Sequence, residues 1–541
     1  MSTQTRDEQQ TTDGLRTCDA LVVGAGFGGI YMLKKLRDDL NLDTVLIEKG
    51  SGVGGTWFWN RYPGAMSDTE SYVYRYSFDK ELLQEWEYDT TYLHQPKVLA
   101  YLEHVVDRHD LAKDIHLSTE MLAATYDEGD ATWTVETTDG TYKTRFLITG
   151  LGLLSATNIP DFEGIDDFGG EKYHTGAFPA DVTYEGKRVG VIGTGSTGIQ
   201  VITALAPQVG HLTVFQRSAQ YSVPSGFRPV DQAYLDDVRS RYDEIWDQVK
   251  GSAVAFGFVE SDVPAMSVSP DERERVFQEL WDKGNGFRFM FGGFCDIATD
   301  LDANKAAQDF VRRKIAETVK DPETARKLQP TDLYAKRPLC DAGYYQVYNR
   351  DNVELVDIKA NPIKRFTAEG IETADGEVHE LDMVIFATGF DAVDGNYMRL
   401  KIKGRDGVSL KEHWADGPTS YLGVTVPNFP NMFMILGPNG PFTNLPPSIE
   451  TQVEFIAQSI GDTIAKGAKE IEATLDAEKK WSATCQQIAE ATLFPKAESW
   501  IFGANIPGKK NAVMFYMGGL GNYRQLLEEC CSGEYAGFAT R

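Results

Sequence analysis

Two glycine clusters carry the clearest chemistry in this 541-residue chain. Gly24-Ala25-Gly26-Phe27-Gly28-Gly29 and Gly193-Thr194-Gly195-Ser196-Thr197-Gly198 both have the spacing of a dinucleotide-binding turn. In such a turn the first two glycines let the backbone bend sharply and approach a pyrophosphate, and the third lets a helix pack onto a strand. The pyrophosphate then sits on the free amides of the helix start. Glu48 stands 24 positions after Gly24, where a carboxylate meets a ribose hydroxyl; the same step from Gly193 reaches Arg217. A basic residue there favours a 2′-phosphate. The first cluster, with Gly24, Gly26, Gly29 and Glu48, therefore reads as a site for FAD. The second, with Gly193, Gly195, Ser196, Gly198 and Arg217, reads as a site for NADPH. One such turn alone is weak evidence; two in full context are strong.

The context is strand, turn, helix in both places. The apolar run 19–23 (DALVV) enters the first turn, a stretch of helical periodicity follows, and 44–48 (TVLIE) forms the next strand. The second turn lies between 188–192 (RVGVI) and 212–216 (LTVFQ). Strand signals then stop, and segments such as VDQAYLDDVRSRYDEIWDQV and SPDERERVFQELWDKG show helical spacing, the second with a Ser-Pro-Asp-Glu start. Strand patterns resume at 353–358 and 383–388, and 431–436 (NMFMIL) runs into another glycine-rich turn. The predicted fold is α/β, with two Rossmann-like dinucleotide-binding domains and a helical insertion. The FAD domain takes residues 1–150 and 387–541, the latter with a mobile loop region; the NADP domain takes 151–228 and 331–386; the insertion is 229–330.

Composition narrows the function. With a formal net charge of −27, most of the surface repels polyphosphates, which argues against a nucleic-acid partner. The six cysteines show no CxxC pair and no metal-ligand spacing, so no metal site is expected and a reducing, cytoplasmic setting fits. Adjacent Cys530 and Cys531 read as inert, since neighbouring cysteines rarely satisfy disulfide geometry. The polar N-terminal segment lacks the apolar stretch of a secretion signal, and no apolar run is long enough to span a bilayer. A monomer or weak homo-oligomer with no membrane contact is expected.

Further motifs sharpen the picture. Residues 168–179, Phe168 through His174-Thr175 to Phe178-Pro179, match the pattern F-x-G-x-x-x-H-T-x-x-W-P except that Phe178 stands in the Trp position. With Gly54-Gly55-Thr56-Trp57, Asn60-Arg61-Tyr62-Pro63-Gly64, Asp68, Ala335-Lys336-Arg337-Pro338, Ala387-Thr388-Gly389-Phe390-Asp391 and Trp500-Ile501-Phe502-Gly503-Ala504-Asn505, the chain resembles the Baeyer–Villiger flavin monooxygenases, nearest the cyclohexanone monooxygenase branch, almost end to end. The resemblance implies that Arg337 lies over the flavin and Asp68 pairs with it. It implies that Gly55, Thr56 and Trp57 border the FAD, that Lys336 and Arg217 hold the 2′-phosphate, and that Trp500 rides on a mobile loop closing over the nicotinamide. Read without it, Arg337 and Asp68 make an ordinary interdomain salt bridge, Trp57, Phe58 and Trp59 are core or flavin wall, and His174 is a hydrogen-bonding hinge residue.

The implied reaction is NADPH- and O2-dependent oxidation of a ketone, cyclic by resemblance, to an ester or lactone. Reduced flavin would capture O2 as a C4a-peroxide, Arg337 would favour its anion, and Asp68 would orient the guanidinium by a two-pronged contact. Thioether sulfoxidation is an expected side activity. The rivals are an N- or S-oxygenating flavin monooxygenase, suggested by Phe178; a disulfide reductase, disfavoured by the missing CxxC; and a nucleotide-sensing protein without turnover.

Overall fold

The computed structural model describes residues 14–541. Its larger sheet is built on the strand Leu15–Val23, which pairs in parallel with Thr44–Ile47 on one side and Gly140–Thr149 on the other. Ala20, Leu21 and Val22 are fully buried, the near-continuous apolar reading of a parallel strand covered on both faces. Thr44–Ile47 carries the short strand Ile115–His116. Beyond Gly140–Thr149 the sheet turns antiparallel through Thr132–Thr137 and Met121–Asp127, with Lys401–Lys403 at the edge. The chain's return is Met432–Met434, which lies parallel against Gly140–Thr149.

The second sheet is wholly parallel. Its order is Val353–Asp357, His211–Gln216, Arg188–Ile192, Met383–Phe386 and Glu171–His174. A small antiparallel sheet of Ile363–Phe366, Gly370–Thr373 and Val378–Glu380 stands beside it.

The helical stretch between the sheets is pinned at its ends, because Ser222–Pro224 pairs in parallel with Leu339–Asp341. Its helices divide between two cores. Leu235, Trp246 and Val249 from Gln232–Ser240 and Tyr242–Gly251 bury with Phe27, Ile30 and Tyr31 of the first dinucleotide unit. Phe277, Phe289 and Phe310 from Pro270–Lys283, Gly286–Phe291 and Leu301–Thr318 bury with Val191, Ile199 and Leu212 of the second. Ile501, Phe502 and Phe515, near the C-terminal end, also pack into that second core.

Helix starts are capped in some helices and left uncapped in others, Tyr242–Gly251 and Leu445–Ala465 among the uncapped. Asp231, Ser269 and Asp300 cap their helices with side-chain acceptors, and Ser269 with Pro270 behind it realises the Ser-Pro-Asp-Glu signal. The two helices that follow the glycine turns, Phe27–Lys34 and Ser196–Leu205, begin at Gly26 and Gly195 with no side-chain cap. No side chain of the described residues occupies these two helix starts, and a helix start next to a glycine turn suits an anion.

Candidate active site between two dinucleotide turns

The two turns are built alike. Gly24 and Gly193 have φ of +101° and +109°, and a Cβ on them would lie 2.5 Å from the Gly150 carbonyl and 2.4 Å from the Ala387 carbonyl respectively. A Cβ on Gly29 would strike the Gly24 carbonyl at 1.8 Å and one on Gly198 the Gly193 carbonyl at 2.3 Å, so in both units helix and strand touch through glycine. Among the described residues no atom lies within 4 Å of a Cβ added at Gly195, so the cradle above the second turn is open there. At the first turn Gly26 faces Gly55, with 2.7 Å between a Gly55 Cβ and the Gly26 Cα. That contact puts Gly55, and the short helix Thr56–Trp59 behind it, onto the first turn.

Glu48 is buried, and both of its oxygens are engaged: the Ala25 and Gly50 amides donate to them at 2.7 Å each. The carboxylate thus braces the turn. Thr56 is exposed at the helix start, whereas Trp57 is buried, its indole N–H donating to the Tyr74 hydroxyl at 3.1 Å. Trp57 belongs to the core of the first unit.

Asp68 is where the two units meet. The Arg337 guanidinium donates from Nη1 to Asp68 Oδ2 at 2.7 Å. Ser196 Oγ donates to the same oxygen at 3.0 Å, and Gln200 Nε2 to Oδ1 at 3.3 Å. The two-pronged Arg337–Asp68 contact expected from the sequence is therefore corrected to a single one. The carboxylate's remaining capacity is taken by the second turn's helix, on which Ser196 and Gln200 share a face at i and i+4. The Arg337 side chain is 26% exposed and Asp68's only 5%, so the anion is enclosed while the cation keeps an open face. The Phe287 ring lies beneath the guanidinium at 5.3 Å, a cation–π contact that steadies its plane. Asn285 Nδ2 donates to the Asp68 backbone carbonyl at 3.2 Å. Sequence reading missed Gln200, Asn285 and Phe287; only Gln200 carried a signal, its helical spacing from Ser196.

The other named residues are placed more loosely. Arg217 is exposed immediately after His211–Gln216, at the strand end beside the second turn. Lys336 makes an ion pair with Asp332. Trp500 is half-buried on a single 3-10 turn, edge-on to Phe515 at 6.0 Å. His174 accepts from the Gly176 amide at Nδ1, 3.0 Å, and lies 3.1 Å from the Gly389 carbonyl at Nε2, an arrangement that requires the neutral ring. Burial lowers its pKa in the same sense. His174 thereby ties the 168–179 motif to the 387–391 stretch. Phe178 is a core residue, buried beside Tyr173 at 5.4 Å.

Two uncapped glycine turns joined through one carboxylate and one arginine define an oxidoreductase that binds two dinucleotides. The pyridine nucleotide-disulphide oxidoreductase family matches residues 21–253, which hold both turns. All six cysteines are free. A Baeyer–Villiger monooxygenase from Pseudooceanicola batsensis is 60% identical over 94% of each chain, and the phenazine N-monooxygenase PhzNO1 from Lysobacter antibioticus is 55% identical over 96% of each. A closed crystal structure of cyclohexanone monooxygenase superposes with a TM-score of 0.97 at 59% identity, covering 98% of this chain and 100% of that one. The chain belongs to the Baeyer–Villiger monooxygenase family and is an FAD- and NADPH-dependent enzyme.

Proposed function

We propose that this enzyme oxidises cyclic ketones to lactones at the Arg337–Asp68 junction, with NADPH and O2 as co-substrates, in the cytoplasm, as a monomer or weak homo-oligomer. The observation that carries the reading is the single short contact of Arg337 to an enclosed carboxylate that also accepts from the second turn's helix. FAD, held by Gly24, Gly26, Gly29, Glu48, Gly55 and Thr56, supplies the redox chemistry and the activation of O2. The Trp57 indole closes the FAD site from the core side. Gly193, Gly195, Ser196, Gly198, Arg217 and Lys336 hold NADPH; Lys336 exchanges its Asp332 partner for phosphate.

Asp68 fixes the guanidinium and lowers the cost of keeping it there; the free face of Arg337 holds negative charge on oxygen at the reacting centre and keeps a proton off it. Hydride transfer between the two dinucleotides requires no such cation. Arg337→Ala should therefore retain FAD and still be reduced by NADPH under anaerobic conditions. Its lactone yield should fall about a hundred- to a thousandfold, with hydrogen peroxide released instead. Arg337→Lys should recover little, since an ammonium lacks the planar fork that spans Asp68 and the reacting oxygen. Normal lactone yield from the Ala variant overturns the assignment.

The N-oxygenating relative supports a second reading on the same site, with an aromatic N-heterocycle as substrate. Phe178 packs in the core beside Tyr173, in the same cluster as Tyr62, Ala387 and Ile501. A panel of cyclic ketones, thioethers and N-heterocycles analysed by product mass separates the readings.

A further inference from the structure

One side of the Arg337–Asp68 junction is formed by the turn Asn285-Gly286-Phe287-Arg288, which leads into the short helix Gly286–Phe291. The turn touches both partners. Asn285 Nδ2 donates to the Asp68 carbonyl and, at 3.0 Å, to the Tyr92 hydroxyl. Gly286 lies against the chain just past Arg337, where an added Cβ would be 2.5 Å from the Leu339 carbonyl and 3.2 Å from Pro338 Cβ. Phe287 carries the guanidinium on its ring. Asn285 has φ of +78° and accepts from the Phe287 and Arg288 amides at 3.0 and 3.1 Å, which fixes the direction in which both side chains leave the turn.

Arg288 closes the arrangement. Its Nη2 pairs with Glu70, two residues beyond Asp68, and its Nη1 donates to the Gly284 carbonyl at 2.9 Å. The two side chains are 17% and 14% exposed, so the pair is largely withdrawn from water and stronger than a surface pair. The Phe258 ring lies over the Arg288 guanidinium at 5.5 Å. Residues 68–70 and 285–288 are thus joined at both ends, Asp68 to Asn285 and Glu70 to Arg288, with Phe287 held between. Among the described residues, the Arg337 and Asp68 side chains hydrogen-bond to neither Glu70 nor Arg288.

Resting on the reading of Arg337 given above, we propose that Glu70 and Arg288 are positioning residues for oxygenation. Their ion pair fixes the turn against residues 68–70 and so sets the plane of the ring on which Arg337 rests. The need for such a support follows from the single contact to Asp68: a guanidinium held at one edge can tilt about it, and the Phe287 ring opposes the tilt. Tyr92, Arg228 and Lys283 line, with the pair, a cavity of about 410 Å³. Burial raises the Tyr92 pKa well above its ordinary value, so that hydroxyl stays neutral.

The test measures lactone and hydrogen peroxide formed per NADPH at saturating cyclic ketone, as a function of pH, in FAD-loaded Arg288→Met, Arg288→Lys, Glu70→Gln and Arg337→Ala. Arg288→Met removes the charge and keeps an apolar stem, while the Asn285 and Gly286 contacts still hold the turn. Its peroxide-to-lactone ratio should rise about tenfold or more, since a slight misplacement at the reacting centre can cost about a hundredfold. The pH of half-maximal lactone yield should move up by about half a unit or more, because a loosened cation keeps a proton off the reacting oxygen less well. Arg288→Lys should recover part of both effects, as an ammonium can still pair with Glu70. Glu70→Gln should shift both in the same direction as Arg288→Met, and it decides the matter should that variant not fold. Anaerobic reduction by NADPH should stay close to wild type in Arg288→Met, Arg288→Lys and Glu70→Gln. A lowered Tm with the wild-type ratio and pH profile makes the pair mere packing and overturns the proposal, as does Arg288→Lys no better than Arg288→Met. If Arg337→Ala alone loses lactone, only the positioning role falls; if Arg337→Ala keeps its yield, the reading of Arg337 falls and the positioning role with it.

Discussion

On the proposed reading, Arg217 is the single side chain that sets cofactor choice. It is exposed past the end of its strand, where its charge is free to meet a 2′-phosphate. Loss of one charge-assisted contact costs on the order of 1.5–3 kcal/mol, so Arg217→Ala should lower the NADPH-to-NADH ratio of kcat/KM about ten- to a hundredfold. A ratio unchanged from wild type refutes its assignment. The position of Arg217 at the end of its strand was legible in the sequence, because a fixed step leads from the glycine turn to the end of the next strand. Asp68 was legible only through family resemblance, and its geometry was not legible at all. Nothing in a linear sequence shows that Ser196 and Gln200 would claim part of the carboxylate expected to serve Arg337 in full. Contacts between residues more than a hundred positions apart are decided by how two units close on each other, and spacing rules do not reach that far.

At the scale of elements, the strands and helices that flank each turn follow from their periodicity, and the return of 431–436 to the first sheet follows from its apolar run. The antiparallel strands Met121–Asp127 and Thr132–Thr137 were not predicted although they alternate buried and exposed residues, a period-two signal that a search for continuous apolar runs passes over. The Trp500 segment, proposed to close over the reacting centre, has little regular structure. Two side chains anchor it: Asn505 Nδ2 donates to the Phe390 carbonyl at 2.8 Å, and Lys509 makes ion pairs with Asp391 and Asp394. Both anchors fall on the stretch that follows Ala387, the same residue that closes against Gly193, so the segment and the second turn share one support. Loosening it should admit water to the reacting centre. Lys509→Met and Trp500→Ala should therefore each raise hydrogen peroxide released per NADPH consumed, measured with saturating ketone, while anaerobic reduction stays close to wild type. If either variant loses thermal stability with coupling intact, that residue is packing and not part of a lid.

For the molecule as a whole, 80 acidic against 53 basic residues make any pH dependence of stability a sum over many carboxylates, and one group must be isolated to be read. Glu450 permits this. It lies on the helix Leu445–Ala465, which packs against the helix of the first glycine turn, and it accepts hydrogen bonds from the Ser77 amide and hydroxyl. Burial raises its pKa from 4.5 to about 7, and the Ser77 donors only partly offset that. Between these two values the folded protein keeps a proton that the unfolded chain has released. This group's contribution is thus fully present below about pH 4.5 and is lost as pH rises through about 7, at up to about 1.4 kcal/mol per pH unit. Glu450→Gln is neutral throughout and keeps an acceptor for Ser77. Its Tm relative to wild type should climb as pH is raised from about 5 to about 7 and level off above that, in the FAD-loaded enzyme. A Tm difference independent of pH would mean that the carboxyl titrates as an exposed one, and that water reaches the contact between the FAD-binding helix and the helix behind it.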